Sequence, residues 1–376
     1  MSRGLKLIAE GALDENGVDE LAGRLGLGSR HLRRMFLQHL GATPIAVAQT
    51  RRVHFAKKLI DETELPMTQV AMASGFGSIR RFNATFQKLY GRSPGDLRRS
   101  TARERNGNEP GVYTFRLGYR PPYNWTSIIQ FLGPRAIPGV ETITLDEYRR
   151  SISLDGNAGF ISVRPIFGKN YLELKIEFPE PAALFRIVER VRNIFDLRAD
   201  PTDVDEHLRR DSRLKPVVQA HSGMRVPGCW DGFEIGVRAI LGQQVSVKGA
   251  TTMAGRLVAE FGRENFPTAD ALADADLTRV GLTKARAHSI RELASAVARK
   301  EVSFDASLGL EAFEGAMTKL PGVGPWTAQY IAMRIGEPDA FPAADLYLRS
   351  FAKESEAWRP WRAYAAMYIW SGSHLL

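Results

Sequence analysis

Cysteine is nearly absent from this chain: Cys229 stands alone among 376 residues. A single thiol excludes an internal disulfide, a cysteine-built zinc site and an iron–sulfur cluster within the chain. It fits a reducing cytoplasm, and Cys229 itself reads as a small packing group. Long apolar runs are missing as well. No stretch of 18 apolar residues occurs, so no membrane span is expected. The opening Met-Ser-Arg-Gly-Leu-Lys-Leu-Ile-Ala-Glu lacks the apolar core of a secretory leader. What remains is 44% hydrophobic and 25% charged, the balance of globular domains. The length suggests two to four of them.

Charge is unevenly placed. Residues 1–110 hold 18 Lys and Arg against 11 Asp and Glu, a net of +7; the rest hold 33 against 31, a net of +2. The N-terminal third is therefore the attractor for a polyanion. That third also contains a repeat. Ala22 and Gly26 recur as Ala71 and Gly75; Phe36, Gly41 and Pro44 recur as Phe86, Gly91 and Pro94. Each unit reads as a helix, a tight turn and a second, basic helix, about Ser29–His39 and Ser78–Leu89. The second helices carry Arg30, Arg33 and Arg34 in one copy and Arg80, Arg81, Asn83 and Lys88 in the other. Arg and Asn can hydrogen-bond base edges in pairs, so the pattern is that of a tandem helix-turn-helix reader of DNA. Phe36, Phe82, Phe86 and Leu89 read as core, and about Ala46–Ile60 as a spacer helix.

Residues 99–112 are polar, with Pro and Gly and no apolar period, and read as a linker. Tyr113–Arg116, Gly159–Val163 and Tyr171–Phe178 read as strands; Trp125–Leu132 and Ala182–Phe195 read as helices. Beyond about residue 203 the patterns are almost all helical. The expected organisation is multidomain: an all-α tandem helix-turn-helix over 1–98, a linker over 99–112, a small α+β domain over 113–199 and an all-α domain over 200–376.

The last domain contains Leu320-Pro-Gly-Val-Gly-Pro-Trp-Thr-Ala-Gln-Tyr330. A helix-like stretch, a Gly-Val-Gly turn and a helix opened by Pro325 make a helix–hairpin–helix, whose turn can offer backbone N–H groups to a phosphate. A plain tight turn fits the same letters. Asp345 follows 21 positions after Gly324. Ala-Ala-Asp-Leu after a proline suits a helix N-cap, and a carboxylate beside a DNA-gripping turn suits chemistry on a nucleotide. Trp326 and Tyr330 share one face of their helix, and a second aromatic cluster, Trp361, Tyr364, Tyr368 and Trp370, lies near the C-terminus. Such faces are either core or a platform for a base swung out of the duplex; rings favour a base made cationic by alkylation.

Residues 4–98 resemble the DNA-binding domain of AraC-type regulators. The second copy carries this most specifically, in Val70-Ala-Met-Ala-Ser-Gly-Phe-Gly-Ser78 and Phe82-Asn-Ala-Thr-Phe-Gln-Lys-Leu-Tyr-Gly-Arg-Ser-Pro94. Residues 113–376 resemble 3-methyladenine DNA glycosylase II, the AlkA type of the helix–hairpin–helix superfamily. The carriers are Pro121-Pro-Tyr-Asn-Trp125, Phe131-Leu-Gly-Pro-Arg-Ala-Ile-Pro-Gly-Val-Glu141, Pro227–Ser246, Leu320–Arg334, Phe341-Pro-Ala-Ala-Asp-Leu346 and Trp358–Trp370. The resemblance implies Asp345 as the catalytic carboxylate and Trp326, Tyr330, Trp370 and Phe131 around the base pocket. It implies Gly322, Val323, Gly324 and Thr327 at the phosphate-gripping turn, with the Gly322 and Gly324 backbone helping to hold a monovalent cation, and no required cofactor. Gln244 falls where the family wedges into the gap left by the flipped nucleotide. Trp326 stands where related lyases keep a lysine, so base removal without strand cleavage is expected. The implied partner is double-stranded DNA bearing alkylated bases, bound by a monomer.

The order of domains resembles Ada–AlkA fusions, which begin with a zinc-binding methyl-acceptor domain. This sequence carries no such domain, so methyl transfer is not expected of it. Residues 261–266 and 348–357 are short for the family. The rival expectation is a sequence-specific regulator with a vestigial glycosylase fold.

Overall fold

A computed structural model describes residues 1–14, 16–101, 109–305 and 309–372. The first seven helices are α1 (Ser2–Ala9), α2 (Val18–Arg24), α3 (Ser29–Leu40), α4 (Pro44–Glu62), α5 (Met67–Ala73), α6 (Ile79–Tyr90) and α7 (Pro94–Thr101). The repeat read from the sequence is the α2–α3 and α5–α6 pairs. Both second helices end on a left-handed glycine, Gly41 at φ 66° and Gly91 at φ 65°, a conformation that side chains resist. Thr43 caps α4 by accepting from the Ala46 amide, and Pro44 supplies the first turn. Ser78 caps α6 by accepting from the Arg81 amide. Leu21, Leu32 and Phe36 close the first core, and Val70, Phe82 and Phe86 the second. Leu89, expected in that core, is 57% exposed. The stripe runs Phe82, Phe86, Tyr90 at every fourth residue, and Tyr90 packs on Phe86 at 5.4 Å, taking the inward place of the last turn. The expected linker begins later than residue 99, because α7 continues to Thr101; residues 102–108 lie outside the described residues.

A five-stranded sheet follows: β1 (Val112–Gly118), β2 (Glu141–Ile143), β3 (Tyr148–Leu154), β4 (Asn157–Pro165) and β5 (Tyr171–Glu177), in the order β1-β5-β4-β3-β2. Helix α8 (Trp125–Leu132) lies between β1 and β2 in sequence; α9 (Leu184–Ile194) follows β5. Strands β2 and β3 pair antiparallel with Glu141 opposite Arg150, and neither is anticipated by the sequence pattern. β2 has three residues, too few for a pattern. β3 hides its alternation because Arg150, 3% exposed, is buried with a carboxylate partner rather than turned to water.

The remaining helices are α10 (Pro201–Leu208), α11 (Lys215–Ala220), α12 (Gly232–Leu241), α13 (Val247–Phe261), α14 (Ala269–Ala273), α15 (Lys284–Ala298), α16 (Leu310–Met317), α17 (Pro325–Arg334) and α18 (Arg362–Ser371). α12 is capped by Asp231, which accepts from the amides of Phe233 and Glu234, and is buried on nearly every side. A helix buried all round, with its two charged residues Glu234 and Arg238 paired to each other, is a domain centre; α13, α15 and α17 pack on it. The two stretches short for the family close tightly, one with Arg263 and Glu264 at positive φ, the other as 3-10 turns around Trp358. Among the described residues no helix is long and apolar enough to cross a membrane.

The chain divides into two compact units. One is Met1–Phe115 with Leu154–Gly159 and Lys175–Glu189; the other is Arg116–Ser153, Phe160–Leu174 and Arg190–Leu376. Within the first, Phe55 of α4 meets Phe185 edge-on at 5.0 Å, and the Arg51 guanidinium lies 4.1 Å over the same ring.

Candidate active site

In the second unit, Trp326 and Tyr330 sit one turn apart on α17. Their rings stack at 5.6 Å and 9°. Trp370, near the end of α18, stacks on Phe131 of α8 at 6.2 Å and 24°. Trp326, Tyr330, Trp370 and Asp345, with Arg135 and Arg238, line one cavity of about 560 Å³. The volume suits a small-molecule-sized guest. Phe131 is 7% exposed and backs Trp370 from behind.

Asp345 is half-buried and held at one oxygen: Oδ1 accepts from the Trp370 indole N–H at 3.0 Å and from the Tyr347 amide at 3.0 Å. The N-cap expected at Asp345 is a turn instead. No α-helix follows it; the chain makes a single turn, closed by the Arg349 amide on the Asp345 carbonyl, and then a 3-10 turn over Arg349–Phe351. Phe351 packs against the buried Trp358 ring at 6.0 Å.

The hairpin joins α16 to α17. Gly322 has φ 75°, and a Cβ there would fall 2.1 Å from Ser289 Oγ, so only glycine fits. Val323 is 4% exposed and Thr327 2% exposed, whereas Gly322 is exposed and Gly324 half-buried. Thr327, expected at the DNA surface, spends its hydroxyl inward: Gln243 Nε2 donates to Thr327 Oγ1 at 2.9 Å and to the Gly322 carbonyl at 2.8 Å. Arg286 in turn holds the Gln243 carbonyl at 2.7 Å. In sequence Gln243 reads as a plain helix end; nothing in its spacing marks it as the tie between α12 and the hairpin. Its neighbour Gln244 is exposed at φ 55°, a strained backbone for a side-chain-bearing residue.

Arg135 and Arg238 line the cavity, and Arg334 and Arg150 join them in a charged cluster around Tyr330 and the two glutamates Glu141 and Glu234. Arg334 donates to the Tyr330 hydroxyl at 2.9 Å and to the Pro227 and Gly228 carbonyls. Arg238 pairs with Glu234 at 3.0 Å and with Glu141 at 3.1 Å. Arg150 pairs with Glu234 at 2.7 Å, and Tyr148 donates to Glu141 at 2.7 Å. Burial alone would raise the Tyr330 phenol, but Arg334, Arg135 and Arg238 outweigh it and hold it below its ordinary range. Burial also weakens Arg135's hold on its proton.

In the other unit, Arg30, Arg33 and Arg34 are exposed on α3, opposite the buried Leu32 and Phe36. Arg80, Arg81 and Asn83 are exposed on α6, opposite Phe82 and Phe86. Each basic set therefore occupies the free face of a second helix.

Three family profiles match this arrangement: a helix-turn-helix domain over residues 21–100, an AlkA N-terminal domain over 114–231, and the HhH-GPD superfamily of base excision DNA repair proteins over 237–368. A probable bifunctional transcriptional activator/DNA repair enzyme AlkA from Mycobacterium tuberculosis is 38% identical, covering 99% of this chain and 80% of that one. DNA-3-methyladenine glycosylase 2 of Escherichia coli is 30% identical, over 68% of this chain and 96% of its own length. The chain belongs to the AlkA family of DNA-3-methyladenine glycosylases. A solved 3-methyladenine DNA glycosylase from Archaeoglobus fulgidus shares the fold, at TM-score 0.59 and 22% identity, over 69% of this chain and 98% of that one. This AlkA-type chain is thus a DNA glycosylase, a hydrolase of the helix–hairpin–helix class, joined to an AraC-type helix-turn-helix domain.

Proposed function

We propose that the cavity receives an alkylated base of the 3-methyladenine type, swung out of duplex DNA, and that Asp345 drives its release. Alkylation at a ring nitrogen leaves the base cationic and a good leaving group. When the C1′–N bond breaks, its electron pair stays with the base and positive charge develops on the sugar. A fixed carboxylate stabilises that charge and orients the water that adds to C1′. The observation that carries this is the clamp on Asp345: Trp370 and Tyr347 both donate to Oδ1, so one carboxylate oxygen is fixed while the other stays open to a reacting centre.

The stacked Trp326–Tyr330 pair and the Trp370 ring offer π faces to a cationic base. Gln244, exposed on its strained turn, fills the gap in the duplex. The hairpin amides around Gly322, Val323 and Gly324 grip a phosphate next to the lesion, and Thr327 supports them through Gln243. The helix-turn-helix faces add DNA contacts of their own. We assign no required cofactor. The Gly322 and Gly324 carbonyls each already accept one hydrogen bond, from Gln243 and from the Ala328 amide of α17, so a monovalent cation at the turn would use the remaining lone pair of each. The protein acts as a monomer on cytoplasmic, nucleoid DNA.

The test is incubation with methylated duplex DNA. Free 3-methyladenine should appear, with strand breaks only after alkali. Breaks without alkali would overturn the assignment as a pure hydrolase; no base release would leave DNA reading as the working activity.

A further inference from the structure

Arg135 is an unusual residue for a pocket that takes cations. It lines the cavity, yet its guanidinium lies 4.0 Å over the Phe131 ring, and its polar partners are the Phe131 carbonyl, at 2.9 Å, and the Tyr330 phenol. Among the described residues it forms no ion pair with a carboxylate, whereas Arg238 and Arg150 share Glu141 and Glu234. Arg334 also lies over Phe131, at 5.1 Å. Four arginines, Arg135, Arg150, Arg238 and Arg334, thus meet two glutamates in this cluster, and two of the arginines, Arg135 and Arg238, line the cavity with the single carboxylate of Asp345. A chain of contacts runs from Asp345 through the Trp370 and Phe131 rings to Arg135.

We infer that Arg135 is a catalytic residue for uncharged lesions: it receives the leaving base and stabilises the negative charge that such a base acquires. This rests on the cavity being the base pocket. For a neutral purine, cleavage of C1′–N9 leaves the electron pair on N9. Water adds to C1′ and gives up a proton, and the purine anion takes a proton from solvent. Until it does, the anion needs a donor. A guanidinium has five N–H groups, and burial among rings makes its charge act at short range with little screening. Carboxylate at the sugar and guanidinium at the base together favour movement of the bond pair toward the base. A cationic base leaves neutral and gains far less from Arg135.

The test is single-turnover release of hypoxanthine (neutral) and of 7-methylguanine (cationic) from matched duplexes by wild type, Arg135→Met and Arg135→Lys. Met preserves a side chain that can lie on Phe131 without the charge. The expected result for Met is a loss of at least about 30-fold on hypoxanthine against less than about 3-fold on 7-methylguanine, with partial recovery in Lys. Equal losses on both bases would mean a purely structural role and overturn the inference. So would wild type that releases 7-methylguanine but no hypoxanthine. Failure of wild type on both would instead strike the base-pocket assignment itself.

Discussion

Trp370 and Asp345, 25 residues apart in sequence, are joined by an indole N–H donated to a carboxylate oxygen at 3.0 Å. The same indole ring stacks on Phe131. One side chain therefore builds the pocket wall and aims the carboxylate. Trp370→Phe separates the two jobs. It keeps a ring against Phe131 and removes the donor. A hydrogen bond to a charged group is worth about 1.5–3 kcal/mol, so single-turnover base release should fall by roughly 10- to 100-fold while binding of DNA with an abasic-site analogue stays within about threefold.

Gln243 should behave as a coupling residue. Its amide ties the Gly322 carbonyl to Thr327, and its own carbonyl holds Arg286. Gln243→Leu leaves two acceptors unpaired, at about 1–3 kcal/mol each where they are buried. The expected outcome is weaker DNA binding with a lowered melting temperature, both checked on one preparation. Gln244→Ala should weaken lesion binding with no change in melting temperature.

Much of this site is legible in the sequence. Trp326 and Tyr330 declare themselves by one-turn spacing, and Pro325 and Gly324 mark where their helix starts. Asp345 by itself suits a helix N-cap as well as catalysis, and it is the resemblance of Phe341–Leu346 to the AlkA type that singles it out. The hidden part is what depends on distant pairing. Arg150 reads as a surface charge until Glu234 is placed 2.7 Å from it. Arg135 and Arg238 look alike in sequence, yet Arg238 pairs with two carboxylates and Arg135 with none among the described residues. Leu89 keeps the apolar period of its helix but loses the inward place to Tyr90. Strand β2, three residues long, has no periodicity to read.

Buried Glu141 predicts an acid limit. Burial pushes the Glu141 carboxyl up, but Arg238 and Arg150 outweigh it and hold it below its ordinary 4.5. A depressed carboxyl stabilises the fold above that value and loses the contribution as pH falls through its native pKa. Unfolding stability should therefore drop with pH below about 4.5. Glu141→Gln should cost about 3–5 kcal/mol at neutral pH by breaking a buried pair, and should flatten that acid slope. Denaturant melts from pH 7 downward check both.

Cys229 should be inert in the folded chain. Burial pushes its thiol up to about 12. At pH 8 the thiolate fraction is then on the order of 1 in 10,000. Maleimide or iodoacetamide labelling should be very slow in buffer and fast in denaturant, with one label per chain by mass.

The helix-turn-helix faces should divide by contact type. Asn83→Ala, on the exposed face of α6, should relax selection at one base pair by about 1–3 kcal/mol if it meets a base edge. Arg34→Ala should weaken all sequences alike and lower the salt slope by about one if it meets a phosphate. Selection of DNA sequences by each variant, repeated at two salt concentrations, separates the outcomes.

Base release should depend above all on the charge of the Asp345 carboxylate. Asp345→Asn retains an acceptor for Trp370 and Tyr347 and removes only that charge. Single-turnover release of 3-methyladenine from duplex DNA should fall by about 100-fold or more, with melting temperature and affinity for abasic-analogue DNA unchanged. An Asn variant that releases the base at the wild-type rate would contradict a carboxylate-driven mechanism.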